Sequence, residues 1–215
     1  MIRKIIAFVL LLAPVGIFAQ SPDFDALGAI KSRYVGDFNF HGIDRKCAAL
    51  DIVFRIMVKK SKVGLTSISK IRRVTAVGEE TNRFIQTLAL TYKTKHVRTD
   101  IGGGYSIKTS LNLPDEGSFV LLGRLAVKYK KWEIYTELFG MEEVEINGVF
   151  LFNASKIVAV GIEGETGIGL GPTIQIKPHK NIKFFASCMT RGKNTEFSGQ
   201  DWSLATSAGI RFFIL

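Results

Sequence analysis

Charged side chains recurring at every second position are the groups in this sequence best placed to act together. Arg55, Arg98, Lys108, Arg124, Lys128, Lys177, Lys183, Arg191 and Arg211 lie opposite apolar neighbours in extended-looking stretches, as do Asp51, Asp100, Glu133, Glu137, Glu145 and Glu163. Charges on one face of an extended chain can pair across strands, or line a wet passage whose net sign sets its ion preference. Bases outnumber acids in this set, so such a passage would favour anions. Across Lys130-Lys131, Arg124 and Lys128 stand at distances matching Glu137 and Glu133, so two cross-strand ion pairs are expected. A filled, salt-bridged interior that conducts nothing would use the same residues.

Catalysis has fewer candidates. The chain holds three histidines, and His96 and His179 stand in short basic segments. His41, with Asp44 nearby, is the remaining general-base candidate, and no Ser in a recognisable motif accompanies it. Gly102-Gly103-Gly104 and the series from Gly161 to Gly171 look able to cradle phosphate, yet no strand-to-helix context follows them. Glycines in strands more often mark bends or sites where a neighbour packs over the backbone. Cys47 and Cys188 lie far apart, with no spacing that suggests a metal site or a disulfide framework. No motif asks for a cofactor.

The elements that must position these charges are strands. From Cys47 onward the dominant period is two. Leu50, Ile52, Phe54, Ile56 and Val58 oppose Asp51 and Arg55, and Phe84, Leu88, Leu90 and Tyr92 oppose Thr87 and Thr91. Ile101, Gly103, Tyr105 and Ile107 oppose Arg98, Asp100 and Lys108. A hairpin spans Leu121 to Leu138 around Lys130-Lys131. Further alternating runs cover 168–177, 182–191 and 202–215. Val63 to Val74 breaks phase midway, which a β-bulge would explain. Residues 27–40 read as a strand or as a short helix. Counting both uncertain stretches gives about twelve strands and dropping both about ten, with twelve preferred; single-chain bacterial membrane barrels have even numbers.

The connections divide by parity. Segments around 59–62, 93–96, 130–131, 155–156 and 178–181 are short and basic, whereas the others carry Glu79-Glu80, Asp115-Glu116, Glu142-Glu143, Glu165 and the long polar stretch 192–201. Both termini then fall at the short-turn end.

The first nineteen residues read as a leader. Arg3 and Lys4 precede an apolar run from Ile5 to Phe18, and Ala19 offers a small residue for cleavage before Gln20. The run is shorter than the roughly 18–20 apolar residues of a spanning helix. The expected organisation is a cleaved signal peptide over 1–19, an N-terminal segment over 20–46 with a possible first strand, and a barrel over 47–215. The whole chain has 29 Lys plus Arg against 19 Asp plus Glu, a formal charge of +10. Removing Arg3 and Lys4 leaves 27 against 19, or +8. Export argues against nucleic acid as the partner of this basic surface, and 47% hydrophobic content excludes disorder.

Alternation alone does not say which face points inward, and a secreted soluble barrel with an apolar ligand inside would share the period. Tyr92, Tyr129 and Trp132 favour a membrane, since they sit on the apolar face beside basic turns, where an interfacial aromatic girdle would lie. With its leader, its turn asymmetry and its terminal strand from Leu204 to Leu215, the chain resembles Gram-negative outer-membrane β-barrel proteins. The resemblance implies an all-β, antiparallel transmembrane barrel in the outer membrane, lipid around its wall, and assembly machinery that reads the last strand. Such strands usually end in an aromatic residue; here Phe212 and Phe213 precede Leu215. The expected function is structural or that of a small passive pore, not an enzyme. The alternatives are an outer-membrane lipid-modifying enzyme using His41 and the soluble barrel.

Overall fold

The structure, a computed structural model, describes residues 24–39, 42–76, 79–110, 114–140, 144–166, 168–191 and 203–214. The leader and its cut site, His41 and the loop from 192 to 202 lie outside the described residues. The strands are β1 (Phe24–Asn39), β2 (Gly42–Val58), β3 (Val63–Ala76), β4 (Glu79–Lys93), β5 (Val97–Ser110) and β6 (Glu116–Tyr129). They continue as β7 (Trp132–Gly140), β8 (Val144–Asn153), β9 (Val158–Glu165), β10 (Gly169–His179), β11 (Ile182–Arg191) and β12 (Ser203–Ile214). Each pairs antiparallel with its sequence neighbours, and β1 pairs with β12, so the sheet closes into a barrel with no free edge. The stretch left open between strand and helix is therefore the closing strand. Its pairing runs from Gly28↔Ile214 to Phe38↔Leu204.

Twelve strands follow from alternation plus turn chemistry. The Lys130-Lys131 hairpin turn holds Lys130 at a φ of 51°, the left-handed region that tight two-residue turns require. Basic short turns gather at one end of the barrel together with both described chain ends, Phe24 opposite Val58 and Ile214 opposite Gly28.

The β-bulge expected within Val63 to Val74 is absent. β3 runs in unbroken register with β2 from Arg45↔Ala76 to Met57↔Gly64, and with β4 from Val63↔Tyr92 to Ala76↔Glu79. The phase break has another cause: Ile68 points inward into an apolar cluster, while Ser67 and Ser69 point outward. Gln86 on β4 makes that outward polarity tolerable. It donates to Ser67 Oγ at 2.9 Å and accepts from Ser69 Oγ at 2.6 Å. True register shifts occur at Asp37/Phe38, and between Ile176 and His179 beside Pro178, which lacks an N–H for the ladder.

The apolar face is the outer one. Ile101 and Leu121 are each 70% exposed, and Leu65, Leu88, Leu90 and Phe119 are exposed beside them. A soluble barrel with an apolar interior would need the opposite arrangement. The wall also turns a corner at β4–β5. A Cβ on inward-facing Gly104 would lie 1.8 Å from the Gln86 carbonyl oxygen, and one on Gly102 would lie 2.0 Å from that of Leu88. The glycine triplet thus serves curvature, with β4 backbone where side chains would be.

Candidate functional site: the charged lumen

Because side chains alternate across each strand, every second residue of all twelve strands enters the lumen. On β1 these include Lys31, Arg33 and Val35, and on β2 Cys47, Asp51, Val53 and Arg55. β3 supplies Lys70 and Arg72, β4 Arg83, β5 Arg98 and Asp100, and β6 Arg124 and Lys128. β7 adds Glu133, Tyr135 and Glu137, β8 Glu145 and Asn147, and β9 Glu163 and Glu165. β10, β11 and β12 contribute Lys177, Lys183 and Arg211.

Acids are the minority on this wall, and most of them serve two cations. Glu137 accepts from Arg124 Nε at 2.5 Å and from the Tyr135 hydroxyl at 2.7 Å, and it also pairs with Lys70. Arg124 Nε further donates to the Tyr135 oxygen at 2.8 Å. Glu145 holds Arg72 and Arg83 at 2.6 and 2.8 Å. Glu165 pairs with Arg33, accepts from Asn147 Nδ2 at 3.0 Å and stands 4.0 Å from Arg72, while Glu163 lies 3.7 Å from Arg33. Arg33 Nε also donates to Ser207 at 3.2 Å.

Asp100, fully buried, meets Arg55 at 3.4 Å and Arg98 at 3.5 Å. It accepts from Thr91 Oγ1 at 2.8 Å, and Thr91 in turn shares a 2.5 Å hydrogen bond with Thr66, to which Arg55 Nε donates. Glu133 holds Lys128 at 2.8 Å and Lys177 at 3.5 Å near the short-turn end. Both ion pairs expected across Lys130-Lys131 therefore form, between residues in direct register. Multiply bonded carboxylates of this kind offset the cost of taking charge out of bulk water.

The lumen is only partly polar. Ile68, Ile85, Ala89, Val120, Leu122 and Phe139 form an apolar cluster that fills the β3–β7 side, with Val53 against it. Lys70 Nζ lies 4.2 Å from the Phe139 ring centroid, which joins this cluster to the charged network. A smaller cluster of Val35, Met189 and Ala205 occupies the side of β1, β11 and β12. Between them lies a cavity of about 820 Å³, lined from Leu27 and Phe213 near the short-turn end to Thr81, Lys108, Val144 and Thr166 near the other. Ten bases line it (Lys31, Arg33, Arg55, Lys70, Arg72, Arg83, Arg98, Lys108, Arg124 and Arg211) against four acids (Asp51, Glu137, Glu145 and Glu165).

Of the charges singled out in the sequence, Asp51, Arg55, Arg98, Lys108, Arg124, Glu137, Glu145 and Arg211 line this cavity. Lys128, Glu133, Lys177 and Lys183 stand on inward positions nearer the short-turn end, and the Arg191 side chain lies outside the described residues. Lys31, Arg33, Lys70, Arg72, Arg83 and Glu165 were not anticipated as lining. The first four sit on the two strands whose pattern was ambiguous, and extending each strand's parity would have found all six. Cys47 lines the lumen, Cys188 lies on the opposite face of the wall, and no disulfide joins them. Among the described residues no three metal-ligating side chains gather. His96 Nδ1 lies 3.0 Å from the Lys128 carbonyl oxygen, and His179 Nδ1 accepts from the Asn181 amide at 3.3 Å. Both histidines are thereby engaged in turn structure.

On the outer wall, Tyr92, Tyr129 and Trp132 are exposed beside the basic turns. Trp132 stacks on Phe150 at 5.1 Å and tilts against Phe152 at 4.8 Å, and His96 meets Tyr129 edge-on at 5.7 Å. Higher on the wall, Tyr105 and Phe119 form an edge-to-face pair at 6.1 Å that the sequence pattern did not single out.

No family model matches the chain, and no curated protein matches it. Solved structures do. A structure of the KdgM porin is similar over 86% of this chain and 98% of that one, at 13% identity and a TM-score of 0.53. The NanC porin matches over 85% and 98%, at 8% identity and a TM-score of 0.54. The fold is that of an outer-membrane β-barrel. Outer membrane phospholipase A from Escherichia coli shares the same barrel, at 9% identity over 87% of this chain and 92% of that one, with a TM-score of 0.51. At these identities the likeness carries the architecture alone, so this barrel's chemistry has to be read from its own lumen.

Proposed function

We propose that this barrel is a passive pore for small anionic solutes in a Gram-negative outer membrane. One observation carries the reading: a cavity runs most of the length of the lumen beside a half-filled interior, lined by ten bases and four acids. A passage of that sign concentrates anions and repels cations, because low-dielectric walls focus the field of the lining charges. The exposed apolar belt supports lipid as the surrounding medium, and Tyr92, Tyr129 and Trp132 fit an interfacial girdle at the short-turn, periplasmic end. The leader over 1–19 would deliver the chain to the periplasm, and the last strand, β12, would be the element that the assembly machinery engages.

The test is reconstitution of the folded protein, identified by heat-modifiable migration on a denaturing gel, into a planar bilayer. Discrete conductance steps in potassium chloride are the expected result. A folded, inserted barrel that leaves the bilayer silent would overturn the pore and leave a salt-bridged structural barrel.

A further inference from the structure

Three lumen cations stand apart from the paired network. Lys31 on β1 is directly opposite Arg211 on β12, and Arg211 is directly opposite Lys183 on β11. They form one rung across three adjacent strands, about 4.8 Å from one strand to the next. Among the described residues no carboxylate comes within 4.0 Å of any of them. The charged groups facing the Lys31 end are Asp51, directly opposite on β2, with Arg33 and Glu163. Those facing Lys183 are Lys177, Lys128 and Glu133, and the acids Glu163 and Glu133 are already engaged by Arg33 and by Lys128 and Lys177.

The rung is built rather than loosely solvated. Phe185 lies over Gly209, where a Cβ would come within 2.3 Å of the ring, and Lys31 Nζ sits 4.9 Å from the Phe185 centroid. Lys31 and Arg211 border the cavity. Like charges placed directly opposite on adjacent strands are destabilising, and Arg211 has a cation directly opposite it on both neighbouring strands. An anion resting on the rung would remove that repulsion.

We propose that Lys31, Arg211 and Lys183 form a binding site for a doubly charged, phosphate-type oxyanion at the short-turn mouth of the lumen. The guanidinium fork of Arg211 offers two parallel donors to such a group, and the flanking ammonium groups supply charge from either side. As a station on a permeation path, the site rests on the pore reading. As a binding site it does not.

The probe is inorganic phosphate, compared with chloride at equal ionic strength. The heat-unfolding midpoint of the detergent-solubilised barrel, followed by the gel mobility shift, should rise saturably with phosphate for the wild type. It should not respond in Lys31→Gln/Lys183→Gln/Arg211→Gln, and Lys59→Gln, in the exposed β2–β3 turn, should respond as the wild type does. If the triple variant fails to fold, Lys183→Gln alone, which relieves a like-charge contact, makes the comparison through a weaker phosphate response. In bilayers phosphate should reduce chloride current saturably, and only while the rung is intact.

Equal phosphate responses in wild type and rung variants would overturn the site. A barrel that conducts with anion preference yet lacks the rung-dependent response rejects the site and keeps the pore. A silent barrel with the response rejects the pore and keeps the site.

Discussion

Glu137→Leu should lower the stability of the folded barrel by about 3 kcal/mol, near the bottom of the range for breaking a buried ion pair. Glu137 is 5% exposed and serves Arg124, Lys70 and the Tyr135 hydroxyl together. Removing it leaves Lys70 and Arg124 without the carboxylate they share and the Tyr135 hydroxyl without its acceptor. Water in the neighbouring cavity will solvate part of the exposed charge, which is why the loss should sit at the low end. Glu137→Gln keeps the shape and an acceptor oxygen and should lose less. Urea midpoints in micelles read both variants. A Leu variant as stable as the wild type would mean that lumen water, rather than Glu137, neutralises Lys70 and Arg124.

Phe139→Ala should destabilise by about 3–5 kcal/mol, as expected for emptying a packed aromatic site, and should raise single-channel conductance. Phe139 is among the largest side chains of the cluster that fills the β3–β7 side of the lumen, and Lys70 rests on its ring. Truncating it removes both the packing and the partition between the charged cavity and the apolar filling, so water gains cross-section. The two readouts separate the accounts of this cluster. Loss of stability with higher conductance marks Phe139 as a lumen filler that narrows the path. Loss of stability with unchanged conductance would place the whole current along β1–β3 and deny the cluster any part in setting pore width.

The barrel was legible from the sequence because one physical pattern recurs in ten of the twelve strands. Leu121 to Leu138 shows apolar residues outward, charges inward and a two-lysine turn between, and the structure repeats that unit around the ring. The ambiguous stretches failed for local reasons. In β3, Ser67 and Ser69 face outward because Gln86 completes their hydrogen bonding, and Ile68 faces inward because the lumen is partly apolar. A rule of polar in and apolar out reads that strand as broken. In β1, Lys31 and Arg33 stand on a strand that pairs with β2 on one edge and with β12 on the other, and the second contact, some 170 residues away, lies in no local window. Those two strands carry Lys31, Arg33, Lys70 and Arg72, so the ambiguity concealed a large share of the lining. The rung of Lys31, Arg211 and Lys183 was hidden for the same reason, since it exists only once the barrel closes.

Zero-current potential across a potassium chloride gradient, measured on the wild-type protein in a planar bilayer, tests the anion-pore account most directly. The lining of ten bases and four acids predicts a potential of the sign set by chloride moving more freely than potassium. It also predicts that the preference shrinks as salt screens the wall. A potential of the potassium-selective sign, or a folded barrel that passes no current, would contradict it.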